Sequence, residues 1–428
     1  MRRPSEVAIT TQGYPIVAQI IAIDGDALFA GRPTCRGFIM MEEKGMKKRA
    51  CFWMVLLTIG FFAVSAFAAD TIKIGLLAPL TGFAAADGLS VKNAVDLAVE
   101  KVNGKGGILG KKVELIVYDD RADAKEAVAL AQKLLQQDKI VGLVAGSYSM
   151  PTRAIAPLFQ DEGVPLVAAY AIHPDVTKAG DFNFRNGFLG AVEGRAAAYT
   201  AVEILKAKKI ALLTSDNDFG KTLAEGFNEY LAKFAKGKAE VVLAQTYPMS
   251  EKDFKPYLTK IKEVQPDVIF SSGYYFQTGP VLKQARELGM NTQIIGEEGA
   301  DSPKTLEIAG EAAEGFVIVT NLNRDDKRPF VQEFLKEYES RYKIQPDMVG
   351  ASAYDAFMIL CDGIRRAQTT EGKAVKNAIA QTKDYDGLTG VIRGFNKGEV
   401  VKEVQVQQVK GGRFHYLGVV TDPQLITP

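Results

Sequence analysis

Three polar clusters follow apolar runs in this sequence, and their residue types suit a small charged solute. The first cluster, residues 146–152, follows the apolar run 141–145 and opens a predicted helix. Gly146 lets the backbone turn sharply, and Ser149 is of the type that caps a helix. Free N–H groups at a helix start, joined by a Ser hydroxyl, can bind a carboxylate without any catalytic residue. The alternative is that Ser149 only caps the helix, as every such start requires.

The other two clusters carry acidic and phenolic side chains. Residues 271–275 read Ser-Ser-Gly-Tyr-Tyr after the run 267–270, and residues 296–301 contain two glutamates and an aspartate after the run 293–295. In parallel sheets, ligands bind at the carboxyl ends of the strands. A carboxylate and a phenol hydroxyl placed there can hold an ammonium group. Together with the carboxylate site near Ser149, these clusters predict a clamp for an α-amino acid.

Residues for enzymatic chemistry are scarce. The two histidines are His173 and His415, and His173 precedes a proline in a predicted loop where nothing orients it as a base. No G-x-S-x-G motif occurs, and the few histidines and cysteines lack the spacing of a zinc site. The glycine-rich run 104–111 lacks phosphate-loop spacing and leads into a strand, so it is interpreted as a helix-to-strand turn. We therefore expect no enzyme activity, no cofactor and no metal.

From residue 72 the chain repeats one unit, an apolar run followed by a turn and an amphipathic segment. Such alternation predicts parallel sheets covered by helices on both faces. Asp123 and Glu126 predict the start of a helix that runs to about residue 137. The pattern lapses near residues 182–188, and the alternation as a whole is longer than one doubly wound domain. These two features predict two α/β lobes. The predicted strands are 72–77, 113–118, 141–145, 165–169, 209–213, 241–245, 267–270 and 293–295, followed by mostly helical sequence from 329 to about 382 and by β-like runs at 400–409 and 413–420.

The N-terminal part of the sequence predicts export. Residues 47–49 are basic, residues 50–64 are apolar, and small residues precede position 69. This is the pattern of a cleavable signal peptide over residues 46–68, so we expect a periplasmic protein. A retained membrane anchor is the alternative, although the apolar stretch is short for a membrane span. Residues 1–45 precede a complete signal peptide and are interpreted as an extension from a mis-assigned start codon.

Composition narrows the possible partners and crosslinks. The 428 residues carry 52 Lys and Arg against 51 Asp and Glu, so no charge excess favours binding to nucleic acid or to an anionic membrane. Cys361 is the only cysteine beyond residue 68, which excludes an internal disulfide from the exported part. Stability must therefore come from packing, which a chain of this length can supply.

Several segments together resemble those of type I periplasmic solute-binding proteins of ABC importers, closest to the leucine/isoleucine/valine-binding branch. The likeness covers essentially the whole chain after the predicted signal peptide, and the motifs keep their order. Each turn alone is unspecific, whereas the series is specific. The matching residues are 72–75 with 80–82, 102–110, 118–120, 160–165, 251–254 and 309–315.

The resemblance implies an α/β fold of two Rossmann-like lobes with parallel sheets, joined by crossing hinge strands and closing on a ligand between them. It places residues 70–187 and 321–388 in lobe 1, and residues 188–320 and 389–428 in lobe 2. It also implies ligand-binding residues for each part of an amino acid. The carboxylate would contact Ser149 and the backbone of Tyr170, Ala171 and Ile172; the ammonium group would contact Tyr274 and Glu298; the side chain would contact Asp87, Ser147, Tyr148, Phe219 and Val349.

Two of these positions depart from the family pattern. Ile172 replaces a hydroxyl residue at the ligand carboxylate, and Asp87 replaces an aromatic wall of the pocket. An unpaired buried carboxylate is costly, so Asp87 would favour a polar or cationic ligand side chain over leucine. Alternatively, Asp87 caps a helix that starts at Gly88. The sequence leaves the identity of the ligand open.

The implied function is that of an extracytoplasmic receptor, which captures an amino acid, branched-chain or related, and delivers it to an ABC permease in the inner membrane. We expect a monomer that binds a small molecule and no nucleic acid. One alternative is a ligand-sensing receptor domain for amides or small carboxylates, which would need a further domain or a membrane segment. Another is a hydrolase on the same fold, which the scarcity of histidine and of nucleophile motifs disfavours.

Overall fold

The computed structural model describes residues 71–428. The extension predicted for residues 1–45 and the signal peptide predicted for 46–68 lie outside the described residues. Two seven-stranded sheets, each packed on both faces, form two lobes. This arrangement confirms the predicted fold, and the sheets are mostly parallel with antiparallel strands at one edge of each. No helix within residues 71–428 is long and apolar enough to span a membrane.

The strands run in chain order through both lobes. They are β1 Ile72–Ala78, β2 Val113–Asp119, β3 Gly142–Ala145, β4 Leu166–Ala168, β5 Asn183–Arg185, β6 Lys209–Ser215, β7 Glu240–Tyr247, β8 Val268–Ser272, β9 Gln293–Gly296, β10 Val317–Thr320, β11 Tyr385–Gly387, β12 Gly390–Ile392, β13 Gly394–Asn396, β14 Glu399–Val401, β15 Val404–Lys410 and β16 Arg413–Val420. The sheet of lobe 1 has the order β13-β14-β5-β4-β3-β1-β2, and that of lobe 2 has the order β16-β15-β10-β9-β8-β6-β7. β1 and β6 occupy equivalent positions, since each pairs in parallel with the next two strands of its lobe. Parallel pairing brings the carboxyl ends of these strands to one edge of each sheet.

Helices connect these strands and cover the sheets. They are α1 Ala85–Gly104, α2 Ala124–Lys133, α3 Ser149–Glu162, α4 Asp175–Lys178, α5 Gly190–Tyr199, α6 Asp218–Lys233, α7 Lys255–Val264, α8 Tyr275–Glu287, α9 Pro303–Ala309, α10 Pro329–Tyr342, α11 Met348–Ala367, α12 Gly372–Ala380 and α13 Pro423–Ile426. The predicted start of α2 is confirmed, because Asp123 accepts hydrogen bonds from the N–H groups of Lys125 and Glu126 at 2.8 and 3.0 Å. The glycine-rich run after α1 is the predicted helix-to-strand turn, with φ of 93° at Gly106 and 81° at Gly107.

The chain crosses between the lobes three times, at residues 186–189, 321–328 and 402–403. The third crossing differs from the expected boundary after residue 388. β13 and β14 pair with each other, and β14 pairs with β5, so residues 394–401 extend the sheet of lobe 1. The β-like composition of residues 400–409 conceals this crossing, because only two residues separate β14 in one lobe from β15 in the other.

Two strands differ from the sequence expectation. The pattern lapses at residues 182–188, yet β5 lies there, and the charge that obscures it is paired: Arg185 donates to Glu399 of β14 at 2.8 Å. β10, Val317–Thr320, was not among the predicted strands. Both strands are short and directly precede a crossing. Their burial depends on neighbouring strands, which overrides weak local preferences.

A buried polar cluster joins the three crossings. Asn186 donates to the backbone carbonyl of Ser352 in α11 at 3.0 Å, and Asn321 donates to the hydroxyl of Ser352 at 2.9 Å. Lys402 donates to Asn186 at 3.4 Å and to Thr389 at 2.8 Å. Burial lowers the pKa of Lys402 to about 8. Each crossing thus supplies one polar side chain to the cluster, and each of these side chains makes at least one hydrogen bond there.

Candidate ligand site between the lobes

A small cavity lies between the lobes, where helix starts and turns follow the carboxyl ends of the strands. It encloses about 10 Å³, so its two walls are nearly in contact. The lining residues are Asp87, Tyr148, Ser149, Tyr170, Met348 and Val349 from lobe 1, and Phe219, Tyr274, Glu298 and Gly299 from lobe 2. The structure therefore brings together the predicted site residues, with the exception of Ser147, Ala171 and Ile172.

Those three residues lie behind the cavity wall. All are buried, and Ala171 and Ile172 pack in the apolar clusters on the two faces of the lobe 1 sheet. The backbone N–H of Ile172 donates to the hydroxyl of Ser149 at 3.1 Å. The Ile172 backbone thus orients Ser149 in this structure. A direct contact between this backbone and a ligand carboxylate stays a prediction.

Ser149 stands on the lobe 1 wall at the start of α3. Gly146 makes the turn after β3, where an added Cβ would lie 2.6 Å from a methyl group of Val91. Tyr148 occupies the N-cap position, and no side chain caps this helix. The alternative that Ser149 is the cap is therefore wrong. Because a helix start leaves backbone N–H groups without partners in the helix, α3 offers donors beside the Ser149 hydroxyl.

Glu298 forms the acidic wall on lobe 2. It begins the 3₁₀ turn Glu298–Ala300 that follows β9, and it is 1% exposed. Neither carboxylate oxygen has a hydrogen-bond partner within residues 71–428. Burial raises the pKa of Glu298 to about 8, against the opposing effect of the positive charges of Lys402 and Arg185. A buried carboxylate without partners is costly, and a ligand cation would supply the missing partner.

Two further glutamates hold the turn that carries Glu298. Glu297 accepts the backbone N–H groups of Gly273 at 3.0 Å and of Gly299 at 2.7 Å. Glu193 of α5 accepts the backbone N–H of Glu298 at 2.7 Å. Burial raises the pKa of Glu193 and of Glu297 well above the ordinary value, and neighbouring carboxylates add to the effect. The sequence gives one signal for Glu193, which is the single acidic residue of the alanine- and glycine-rich α5.

Asp87 is the acidic residue of the lobe 1 wall. It lies in the first turn of α1, whose N-cap is Ala84, so the alternative that Asp87 caps a helix from Gly88 is wrong. Its Oδ2 atom accepts a hydrogen bond from the hydroxyl of Tyr148 at 2.7 Å. Burial, followed by the like charge of Asp347, raises the pKa of Asp87 to about 8. Its side chain therefore belongs to the cavity wall and not to a helix cap.

Aromatic rings connect the lobes through the site. Tyr148 of lobe 1 stacks on Tyr274 of lobe 2 with ring centroids 4.6 Å apart, and Phe219 stacks on Tyr274 at the same separation. Beside the cavity, Arg153 of α3 forms an ion pair of 2.7 Å with Asp218 of α6. The lobes are thus closed, and residues of the cavity wall touch one another. A solute can enter only when the lobes separate.

The polar groups of the site suit recognition rather than reaction. His173 is not part of the lining, and its Nδ1 atom accepts the backbone N–H of Asp175 at 3.2 Å. Burial lowers the pKa of His173. No group of three or more His, Cys, Asp or Glu residues in the described part of the chain could hold a metal ion. The walls instead offer two carboxyl groups, a serine hydroxyl and a helix start.

Two α/β lobes that meet over a small polar cavity define a bilobed receptor for small solutes. The chain belongs to the periplasmic binding protein family. The family model described as "Periplasmic binding protein" matches residues 71–413. This membership confirms the resemblance seen in the sequence and the fold that it implies.

Relatives and solved structures agree with this assignment. The chain is 27% identical over 359 residues to the leucine-, isoleucine-, valine-, threonine-, and alanine-binding protein of Pseudomonas aeruginosa, spanning 84% of this chain and 94% of the relative. It is similar to LivJ, a branched-chain amino acid transporter substrate binding protein from Streptococcus pneumoniae in complex with isoleucine, with a TM-score of 0.76 and 28% identity over 82% of this chain and 99% of LivJ. It is also similar to an ABC-transporter solute binding protein from Rhodopseudomonas palustris in complex with 3,4-dihydroxybenzoic acid, with a TM-score of 0.73 and 26% identity over 83% of this chain and 99% of that chain. All three are binding proteins, which confirms the expectation that this chain is not an enzyme.

Proposed function

We propose that this protein captures an α-amino acid, branched-chain or related, between its lobes and delivers it to an ABC permease. The observation that carries the proposal is the state of Glu298, whose buried carboxylate lines the interlobe cavity with both oxygens unpartnered within residues 71–428. The relative that is named for binding leucine, isoleucine, valine, threonine and alanine, and LivJ in complex with isoleucine, support an amino-acid ligand.

The two walls would bind opposite ends of a zwitterion. Glu298, with the phenol of Tyr274 beside it, would accept the ammonium group in a charge-assisted hydrogen bond. Ser149 and the start of α3 would donate to the carboxylate. Because these groups lie on different lobes, an amino acid contacts both walls only when the lobes are closed, and it therefore shifts the population toward the closed state.

Closure would also be the signal to the permease. The three crossings are the segments about which the lobes can rotate, and closure changes which surfaces the two lobes present together. A permease that recognises both lobes in this arrangement would bind the loaded receptor in preference to the empty one. Crosslinking of the receptor to its permease with and without amino acid tests this step, and equal yields would contradict it.

Location and assembly complete the proposal. A signal peptide over residues 46–68 would export the chain to the periplasm, where it would act as a monomer. N-terminal sequencing of the exported protein should start at Ala69, and light scattering should give the mass of one chain. An exported protein that retains residue 1, or a stable dimer, would contradict these two points.

A thermal-shift screen tests the ligand class. Leucine, isoleucine, valine, threonine, lysine and arginine form the panel, together with 3,4-dihydroxybenzoate, which a structural neighbour binds. A ligand at one hundred times its Kd stabilises the folded protein by about 2.7 kcal/mol. We expect at least one amino acid to raise the unfolding temperature. Stabilisation by dihydroxybenzoate alone would contradict the proposal.

Matched ligands isolate the two charges. For the best amino acid of the screen, the N-acetyl derivative removes the ammonium charge, and the amide derivative removes the carboxylate charge. We expect neither derivative to stabilise the protein at the same concentration, because each leaves one wall without its partner. A derivative as effective as the parent amino acid would show that the corresponding wall does not bind that charge.

A further inference from the structure

The lobe 1 end of the cavity is acidic and aromatic, and the inference drawn from it rests on the proposed binding of an amino acid. Asp87, which is 3% exposed, lies there with Tyr148, Tyr170 and Val349. One hydrogen bond reaches its carboxylate from the described residues, that from Tyr148 at 2.7 Å. A carboxylate has acceptor capacity for several donors, so this one retains capacity toward the cavity.

No basic side chain lies in the cavity lining to balance Asp87. The lining residues of both lobes include two carboxyl groups but no lysine, arginine or histidine. The neighbouring Asp347 adds a like charge, and its own carboxylate already accepts hydrogen bonds from Ser90 and from the backbone N–H of Gly350. The raised pKa of Asp87, about 8, reflects the cost of an anion in this place. A cation brought by the ligand would offset that cost.

The aromatic residues around Asp87 also favour a cation. The rings of Tyr148 and Tyr170 meet edge to face with centroids 6.1 Å apart, and Tyr274 stacks on Tyr148 from the other lobe. The faces of such rings carry negative potential, and a cation within about 6 Å of a ring centroid is attracted to it. An acidic group beside several tyrosine rings is therefore a suitable place for an ammonium or guanidinium group.

We infer that the side chain of the ligand ends in a positively charged nitrogen group, which binds to Asp87 among the rings of Tyr148 and Tyr170. In this assignment Ser149 and Glu298 bind the part common to all α-amino acids, and Asp87 determines specificity. A leucine side chain in the same place would leave the buried Asp87 without a charged partner. The ligand class is therefore a basic amino acid, in contrast to the isoleucine that LivJ binds.

Titration calorimetry with the wild type and with Asp87→Asn tests the inference. Asparagine keeps the size of the side chain and removes its charge. We expect the wild type to bind lysine or arginine at least about tenfold more tightly than leucine or glutamine. Asp87→Asn should lower the affinity for the basic amino acid by about tenfold or more and leave that for leucine within about threefold. Wild type that binds leucine or glutamine as tightly as lysine and arginine would overturn the inference.

Control variants separate specificity from folding. Asp347→Asn removes a buried charge that is close to Asp87 but outside the cavity lining. Asparagine, like aspartate, is a residue type that caps helices. This variant should therefore retain the preference for basic amino acids. If Asp87→Asn does not fold, Tyr148→Phe is the second variant, because it keeps the ring and removes the hydrogen bond to Asp87. The order of the wild-type protein's affinities for the ligands then still decides the inference. An Asp87→Asn protein that folds and keeps its affinity for lysine and arginine would also overturn the inference.

One further ligand distinguishes this inference from the proposed function. Agmatine carries the guanidinium group of arginine but lacks the α-carboxylate. Binding of arginine without binding of agmatine supports both proposals. Equal binding of the two would contradict the amino-acid clamp at Ser149 while leaving the role of Asp87 intact. Tight binding of leucine with no binding of arginine or agmatine would overturn the role of Asp87 and leave the clamp intact.

Discussion

The ring of Tyr148 stacks on the ring of Tyr274 across the cleft, with centroids 4.6 Å apart and planes inclined by 27°. Each ring is held by its own lobe: the hydroxyl of Tyr148 donates to Asp87, and Asn217 donates to the hydroxyl of Tyr274 at 3.4 Å. Contact between the two rings therefore requires the lobes to be closed. Tyr148 and Tyr274 also line the cavity, so that ligand binding and closure of the lobes are coupled.

The ion pair between Arg153 and Asp218 should make a small contribution to closure. Arg153→Ala removes the pair, whose side chains are 36% and 48% exposed. Such exposed pairs contribute about 0.2–1 kcal/mol, so we expect the affinity for the ligand to fall by less than about fivefold. Calorimetry at low and high salt measures the effect, which should shrink as salt screens the pair.

A pair within one lobe provides the control for this variant. Arg341 and Glu100 form an exposed ion pair of 2.6 Å between α10 and α1, both in lobe 1. Arg341→Ala should leave the affinity unchanged, because closure does not alter that pair. A loss of affinity that is equal in the two variants would show that Arg153 acts on stability and not on closure.

The buried ion pair between Arg185 and Glu399 should be essential to the stability of lobe 1. It links β5 to β14, with Arg185 fully buried. Glu399→Ala leaves the guanidinium of Arg185 without its carboxylate, and breaking a buried pair costs about 3–5 kcal/mol. Urea unfolding measures this loss. Glu403→Ala, which removes an exposed partner of Arg393, should cost less than about 1 kcal/mol. Equal losses in the two variants would contradict the placement of β14 in the core of lobe 1.

The contribution of Asp87 and Glu298 to the stability of the ligand-free protein should fall as the pH rises from about 4 to about 8. Burial raises the pKa of Asp87 and of Glu298 to about 8, so both stay protonated in the folded state over a range in which they ionise in the unfolded state. Unfolding then releases protons, and higher pH favours it. Their contribution to stability is complete below about pH 4 and lost by about pH 8.

Variants assign this pH dependence to the two carboxyl groups. Asp87→Asn and Glu298→Gln should each reduce the slope of unfolding free energy against pH by up to about 1.4 kcal/mol per pH unit. Urea unfolding at pH 5 and pH 7 gives the slope. Glu307→Gln is the control, because it removes an exposed carboxylate and should leave the slope unchanged. A wild-type slope that both site variants retain would contradict the raised pKa values.

Local sequence patterns predicted much of the fold because the elements obey local rules. The start of α2 at Asp123 depends on neighbouring residues alone, and the glycine-rich run after α1 requires only its own positive φ angles. β5 and the third crossing could not be predicted in this way. Arg185 makes β5 look polar, and it is accommodated in the core by Glu399, which lies far along the chain.

The residues of the site also divide into those that the sequence predicts and those that it does not. The polar clusters that contain Ser149, Tyr274 and Glu298 could be identified because polar residues after parallel strands meet at one edge of a sheet. The family resemblance then implied Tyr274 and Glu298 within their clusters. Glu193 could not, because its role depends on the approach of α5 to the turn after β9. The place of Asp87 depended on where α1 begins. The helix starts at Ala85, so Asp87 lies in the first turn and not at the cap, and its side chain is part of the cavity wall.

Calorimetric titration of Glu298→Gln with the amino acid that binds the wild type tests the central claim most directly. Glutamine preserves the size of the side chain and removes the charge that would bind the ammonium group. We expect the affinity to fall by at least about tenfold while the protein remains folded, since a charge-assisted hydrogen bond is lost at a desolvated site. An affinity equal to that of the wild type would show that the ammonium group binds elsewhere and would contradict the clamp.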